Sequence, residues 1–285
     1  MEKNRKKMRI FIFAAIHILF AAILLASSNK NDEFQSAMNY DQKVLDKSLN
    51  IISKKIIYFG HQSVGYNIIE GIKTLMDRYN VMDLVIRETD NPLSFKKPVF
   101  AHSQNGENTK PETKIKSFKD TISKGMGKSV NMAFFKLCYV DVTASTDIDA
   151  LFDSYKKSMD TLIRTYPKVK FVHMTVPVKL EKRDLKRTIK NIIKKIIGRQ
   201  VATGNEDDNV KRMEFNKKLI ATYGKNVFDL ARFESTRPDG KTVTSDLGGK
   251  THYSLLPEYT TDGGHLNQEG AQFVAYNFIR FLAEK

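Results

Sequence analysis

IIYFGHQSVGYNII (residues 56–69) decides the fold, because a strand-forming run passes here into a helical pattern around a serine. Residues 56–59 are typical of a buried strand, and the helical pattern opens at about Tyr66. Ser63 therefore lies at a strand-to-helix turn, between two glycines. Ser63 can be an N-cap residue, whose oxygen accepts from free helix N–H groups. Alternatively, the turn displays a nucleophile at the helix N-terminus.

The composition is typical of a globular protein without a disulfide framework or a cysteine metal cluster. The chain has 285 residues, of which 41% are hydrophobic and 28% charged, so a globular core is expected. Cys138 is the single cysteine, which excludes an intrachain disulfide framework and a cysteine metal cluster. The histidines have no metal-ligand spacing. We therefore expect no metal and no cofactor.

The N-terminus accounts for part of the formal charge of +15. Residues 1–9 hold five Lys or Arg and one Glu, and residues 10–26 carry no charge. This pattern predicts a signal peptide or a membrane anchor over residues 1–28. Either one orients the following chain outside the cytoplasm, as a secreted or membrane-anchored protein of the bacterial cell envelope. We expect a linker over residues 29–43 and one folded domain over residues 44–285.

Strand-like and helix-like segments alternate through the domain. Strands are predicted within residues 54–60, 81–89, 131–142, 169–178 and 226–231. Helices are predicted within residues 65–80, 147–167, 207–224 and 267–285. The alternation predicts a three-layer α/β/α sandwich around a mainly parallel five-stranded sheet. Ligands of such sheets bind beyond the carboxyl ends of the strands, so Ser63, Asp141 and Pro177 are expected to share one rim.

YTTDGGHLNQEG (residues 259–270) holds a second group of polar residues. Asp262 and His265 are three residues apart in a glycine-containing turn that leads into a helix. This spacing lets the carboxylate reach the imidazole Nδ1, which fixes the tautomer and stabilises the imidazolium of a general base. The alternative is a capping turn with a surface histidine, because Asp-Gly-Gly is common turn chemistry.

Together the two stretches resemble the SGNH/GDSL hydrolase superfamily. FGHQSVG (residues 59–65) resembles its first block, and DGGHLNQEG (residues 262–270) resembles its last. More narrowly, the chain resembles exported bacterial proteins that share GHQSVG and YTTDGGHLN. The resemblance extends from about residue 50 to residue 285 and implies an SGNH- or flavodoxin-like fold. It also implies that Ser63 is the nucleophile, His265 the general base and Asp262 its orienting partner.

The sequence departs from the family pattern at the site that holds the oxyanion. The usual G-D-S becomes G-H-Q-S, and the third block, Gly-x-Asn-Asp, reads KLCYVD (residues 136–141) without asparagine. In the family this asparagine acts with a glycine N–H and the serine N–H. Losing one such donor costs about 2–4 kcal/mol of transition-state stabilisation. We expect Gly106 and Asn108 to replace it beside the Ser63 N–H; a plain surface loop is the alternative.

Further expectations concern residues next to these blocks. His61 lies two residues before the serine and is predicted to contact substrate. Lys136 interrupts an apolar strand and is predicted to pair with Asp141 in a structural ion pair. Cys138 and Tyr139 are predicted to be packing residues.

A basic amphipathic helix is predicted at about residues 179–199. This segment holds nine Lys or Arg and two acidic residues, net +7, with Leu and Ile at helical spacing. One interpretation is a solvated basic face. The other is a lid beside the rim that contacts an anionic membrane surface or an acidic polymer. Nucleic acid is not expected, because export removes the chain from it.

These patterns predict an exported serine ester hydrolase that forms an acyl-serine intermediate. Its expected substrates are O-acyl esters of envelope glycans or related small esters, with acetyl as the expected acyl group. An O-acyltransferase would use the same residues with a sugar hydroxyl in place of water. A catalytically silent glycan-binding domain is the alternative from another class, because the third-block asparagine is missing.

Overall fold

The structure is a computed structural model that describes residues 38, 40–81, 84–95, 97–181 and 205–285. The chain divides into two compact units, Met1–Tyr40 and Asp41–Lys285, and the architecture below is that of the second. The leader predicted over residues 1–28 and the basic segment from residue 182 to residue 199 lie outside the described residues. Among the residues described, no helix is long and apolar enough to cross a membrane.

A parallel sheet forms the centre of this unit. Its strands are β1 (Ile56–His61), β2 (Ile86–Glu88), β3 (Val99–Gln104), β4 (Met132–Phe135) and β5 (Lys170–Phe171). Their order across the sheet is β2-β3-β1-β4-β5. One residue beyond β5, β6 (His173–Met174) pairs in parallel with β7 (Val227–Phe228). Strand β1, which leads to Ser63, therefore lies in the middle, with β3 on one side and β4 on the other.

Helices cover both faces of the sheet. They are α1 (Gln42–Ile52), α2 (Val64–Tyr79), α3 (Pro111–Thr121), α4 (Gly127–Ser129), α5 (Ile148–Thr165), α6 (Asn205–Tyr223), α7 (Leu230–Glu234) and α8 (Gln268–Ala283). Tyr58 stacks on Phe118 of α3, whereas the next residue, Phe59, contacts Phe278 of α8. Since successive strand residues point to opposite faces, α3 and α8 lie on opposite sides. The predicted α/β/α sandwich is confirmed.

The sequence patterns miss some elements and predict several strands longer than they are. They do not predict β3, because its second half, His102 to Gln104, is polar and no apolar alternation marks it. They also miss α1, α3 and a hairpin formed by β8 (Thr244–Leu247) and β9 (Lys250–Tyr253). The strand predicted over residues 131–142 ends at Phe135, and a 3-10 turn follows at Tyr139–Asp141. That early end brings polar groups of the turn to the rim.

Candidate active site

Ser63 occupies a strained position between β1 and α2. Its backbone has φ 54° and ψ −117°, in the region that non-glycine residues avoid. It stands at the N-cap position of α2, yet its side chain makes no capping hydrogen bond. Its Oγ instead lies 2.7 Å from Nε2 of His265, a residue 202 positions away. The side-chain cap suggested by the local sequence is therefore not formed.

The turn around Ser63 depends on a glycine and a buried histidine. A Cβ on Gly65 would lie 2.4 Å from the Cβ of His61, so the first turn of α2 passes too close for any other residue. His61 is fully buried, and its Nε2 lies 3.1 Å from Nδ1 of His102. Burial, helped by His102, lowers the pKa of His61 to about 2. His61 is a neutral packing residue beneath the turn, and this position gives no support to the predicted substrate contact.

Asp262 and His265 form a local, partly exposed pair. His265 Nδ1–H donates to Asp262 Oδ2 at 2.6 Å. Asp262 Oδ1 also accepts from the backbone N–H groups of Gly264 and His265, both at 2.8 Å. The His265 side chain and these amides hold the pKa of Asp262 well below its usual range. With the proton kept on Nδ1, Nε2 faces Ser63 as an acceptor, which is the tautomer a general base needs.

Backbone contacts hold this turn against α2. Gly263 has φ 86°, and its N–H donates to Thr260 Oγ1 at 2.9 Å. The Leu266 N–H donates to the Asn67 side chain of α2 at 3.2 Å. Asn67 comes one helical turn after Ser63. The same helix therefore fixes the serine and the segment that carries the histidine.

Tyr139 is a site residue that sequence analysis treats as packing alone. Its hydroxyl lies 3.4 Å from His265 Nε2, and the two rings meet edge to face. A Cβ on Gly264 would lie 2.9 Å from that hydroxyl, so the glycine makes room for it. Burial raises the pKa of Tyr139, which keeps the hydroxyl protonated at neutral pH. Its position shortly after strand β4, the neighbour of β1, was the one available signal.

The loop after β3 lies next to the serine turn. The Gln62 side-chain amide donates to the carbonyl of Gly106, which has φ 64°. Asn108 Oδ1 accepts from Lys114 Nζ at 2.8 Å. A Cβ on Gly106 would lie 2.5 Å from the backbone nitrogen of Lys114, so only glycine fits here. The two predicted oxyanion donors thus belong to a loop that Gln62 and Lys114 hold in place.

The predicted ion pair between Lys136 and Asp141 is wrong. Asp141 pairs with Lys114 of α3 at 2.6 Å, and both side chains are at most 1% exposed. Asp141 also accepts from the N–H groups of Cys138 at 2.6 Å and Thr109 at 2.8 Å. Sequence spacing favoured Lys136 because it was predicted on the same strand, residues 131–142, whose end carries Asp141. The missed strand β3 and helix α3 bring Lys114 closer.

Lys136 is instead buried beside the single cysteine. Its Nζ lies 3.2 Å from Cys138 Sγ and 3.4 Å from the Leu137 carbonyl. Nearby Glu234 is fully buried, and burial raises its pKa to about 8. The Val178 N–H donates to one of its oxygens at 2.7 Å. The interior behind the rim therefore holds charged or neutralised groups rather than a plain apolar core.

The geometry provides the parts for acyl transfer. A hydroxyl, an imidazole and a carboxylate are connected in series, as nucleophilic catalysis by serine requires. Helix α2 begins directly after the serine, so the positive end of its dipole lies beside the position where negative charge would develop. In the part of the chain that the structure describes, no group of three or more His, Cys, Asp or Glu residues could hold a metal ion.

No protein-family model and no curated protein matches the chain. Similar solved structures include a GDSL-like lipase from Parabacteroides merdae, with 11% identity, a TM-score of 0.46, and coverage of 81% of this chain and 95% of that one. A protein described as an SGNH hydrolase from Slackia heliotrinireducens has 13% identity, a TM-score of 0.42 and coverage of 80% and 96%.

A third similar structure is the lipopolysaccharide acetyltransferase periplasmic domain of Salmonella Paratyphi A, with 11% identity, a TM-score of 0.41 and coverage of 78% and 80%. Two of these three solved structures are thus described as SGNH- or GDSL-type proteins. At such low identities and TM-scores the likeness carries no information about activity or substrate. Any function must be derived from the site itself.

Proposed function

We propose that the protein is a serine ester hydrolase with Ser63 as nucleophile, His265 as general base and acid, and Asp262 as its orienting partner. One observation carries this proposal: the Asp262 carboxylate, the His265 imidazole and the Ser63 hydroxyl form a series of contacts of 2.6 and 2.7 Å. The strained backbone of Ser63 supports it further, because such strain concentrates at reactive positions. A silent binding domain has no need of either feature.

The reaction would proceed in two halves. Ser63 Oγ attacks the ester carbonyl carbon while its proton passes to His265 Nε2, and the carbonyl electron pair moves onto oxygen. The tetrahedral species then collapses, the bond to the leaving oxygen breaks, and that oxygen takes the proton from Nε2. Water repeats the sequence on the acyl-serine and releases the acid. A sugar hydroxyl in place of water would make the same site an O-acyltransferase.

The oxyanion would be held by the Ser63 N–H at the start of α2, the Gly106 N–H and the Asn108 side-chain amide. Lys114 donates to the oxygen of the Asn108 side-chain amide, so the nitrogen of that amide is the end that can donate to the oxyanion. The Gln62 amide that holds the loop donates to the Gly106 carbonyl, and the following N–H, that of Glu107, donates to Thr113 Oγ1. Oriented donors of this kind stabilise the charge that develops in the transition state.

The proposed substrates are O-acyl esters of envelope glycans or related small esters, outside the cytoplasm. The basic leader and the apolar run over residues 1–28 support that location. A reporter enzyme that is active only outside the cytoplasm, fused after Lys285, should be active. If the fusion behaves as a cytoplasmic protein, the location and the glycan substrate are both refuted.

The decisive experiment combines a fluorophosphonate probe with a small test ester. We expect the probe to label the wild type and p-nitrophenyl acetate to be hydrolysed, while Ser63→Ala and His265→Ala abolish turnover. The double variant should lose little more than either single variant, because residues that act as a unit are not additive.

The matched control is Ser103→Ala. Ser103 lies opposite Gly60 on β3, and its hydroxyl contacts Tyr58 at 2.8 Å rather than an imidazole. This variant should keep both labelling and turnover. An active Ser63→Ala protein would refute the mechanism, as would labelling that persists in that variant.

A further inference from the structure

The oxygen atoms that leave and enter the acyl-serine must both reach His265 Nε2, because this atom gives and takes their protons. The Tyr139 hydroxyl lies 3.4 Å from the same nitrogen, so one oxygen atom can contact both groups. We propose that Tyr139 is a further catalytic residue, which donates a hydrogen bond to the leaving-group oxygen and then to the incoming water or sugar hydroxyl. This inference rests on the proposed function.

Tyr139 is held firmly in this position. The residue is 8% exposed, and its carbonyl accepts from the Nε–H of buried Arg212 at 3.0 Å. Lys179 Nζ lies over the face of its ring, 5.4 Å from the centroid. Gly264 leaves the space into which its hydroxyl fits. A donor fixed before the reaction needs little reorganisation when charge develops.

The hydroxyl also has the right protonation state. Burial raises the pKa of Tyr139, so a neutral phenol with a proton to donate faces the site. In each half-reaction the transferred proton still belongs to His265: the phenol donates a hydrogen bond and keeps its own proton. Position separates this role from that of Gly106 and Asn108, because the Tyr139 hydroxyl is next to Nε2, whereas these two proposed oxyanion donors are on the loop after β3.

The two roles predict different substrate dependence. Loss of an oxyanion donor slows all esters alike, because every ester forms the same tetrahedral oxyanion. Loss of a leaving-group donor slows esters whose leaving oxygen carries much charge, such as alkyl or sugar acetates. It hardly affects p-nitrophenyl acetate, since p-nitrophenolate departs without help.

The test compares kcat/KM of the wild type and Tyr139→Phe on a series of acetate esters, from p-nitrophenyl acetate to an O-acetylated methyl glycoside. We expect a loss of about 10²-fold on the glycoside, and less than about 5-fold on the aryl ester. Tyr155→Phe is the matched control, because it removes a buried hydroxyl that contacts His173 at 2.8 Å, away from the rim. This control substitution should change kcat/KM by the same small factor for every ester.

Fluorophosphonate labelling of Ser63 separates the outcomes. If the probe still labels Tyr139→Phe, and this substitution slows the hydrolysis of every ester equally or of none, the role of Tyr139 is refuted and the proposed function stands. If the probe does not label the wild type and the wild type hydrolyses no ester, both the proposed function and the role of Tyr139 are refuted. If Tyr139→Phe does not fold, Gly264→Ala provides the second variant: its added methyl displaces the hydroxyl, and an unchanged leaving-group dependence would likewise refute the role.

Discussion

Two charge pairs at this site have the same contact distance and opposite surroundings. Asp262 and His265 meet at 2.6 Å within one turn, with side chains 54% and 45% exposed. Lys114 and Asp141 also meet at 2.6 Å, but come from separate elements and are at most 1% exposed. The first pair can change its charge during a reaction because water reaches it. The second must stay paired, because each charge alone would be buried without compensation.

The comparison assigns different tasks to the pairs. The exposed pair sets the tautomer and the orientation of the His265 imidazole, which is a chemical task. The buried pair, through Asp141, connects the loop after β3 to the turn after β4, which is a geometric task. Distance alone does not distinguish them. Burial does, because it decides whether a lost partner is replaced by water.

The largest expected effect is on the exposed pair. Asp262→Asn should lower kcat by about 10³–10⁴-fold, because the amide no longer fixes the reactive tautomer of the imidazole. The midpoint of urea unfolding should change little, since the side chain is half exposed. Activity within 10-fold of the wild type, measured on the ester that the wild type prefers, would contradict the role given to Asp262.

The buried pair should show the reverse pattern. Lys114→Met should lower the free energy of unfolding by about 3–5 kcal/mol, because it leaves the Asp141 carboxylate buried and unpaired. Urea denaturation measures the change. The matched control is the double variant Lys114→Met with Asp141→Leu, which should recover part of the loss, because both charges are then gone. A loss below about 1 kcal/mol in the single variant would mean that water replaces the lysine.

Glu234 extends the comparison to a buried carboxyl group, for which the described residues provide no ion pair. Its folded pKa of about 8 lies above the ordinary 4.5. Between these values the folded state binds a proton that the unfolded state releases, so this contribution to stability is complete below pH 4.5 and is lost as the pH rises toward 8. Glu234→Gln should reduce the difference between the free energies of unfolding at pH 5 and pH 8, measured by urea denaturation. An equal difference in the two proteins would show that Glu234 ionises normally.

The smallest effect is expected from a pair with the same distance at the surface. Lys116 and Asp120 also meet at 2.6 Å, with side chains 77% and 41% exposed. Lys116→Ala should leave the unfolding midpoint unchanged within error, because water replaces the lost contact. A clear shift would show that contact distance, rather than burial, governs these pairs.

The fold could be predicted where the sequence pattern was local. The serine turn, α2, α5, α6 and α8 follow from apolar periodicity and from the glycines at the ends of the helices. Strand β3 could not be predicted, because its polar second half carries no period and its stability comes from pairing with both β1 and β2. The partner of Asp141 was therefore assigned to the wrong lysine.

By itself, the sequence determined the pairing of Asp262 with His265, because three residues in a glycine turn leave the two side chains within reach. It also determined that Ser63 lies where a strand passes into a helix. Only the tertiary structure decided that Ser63 meets His265, that Lys114 pairs with Asp141, and that the Tyr139 hydroxyl faces the imidazole. Those contacts join residues that lie far apart along the chain. Packing of the sheet and helices therefore fixes them, and the local spacing of residues does not predict them.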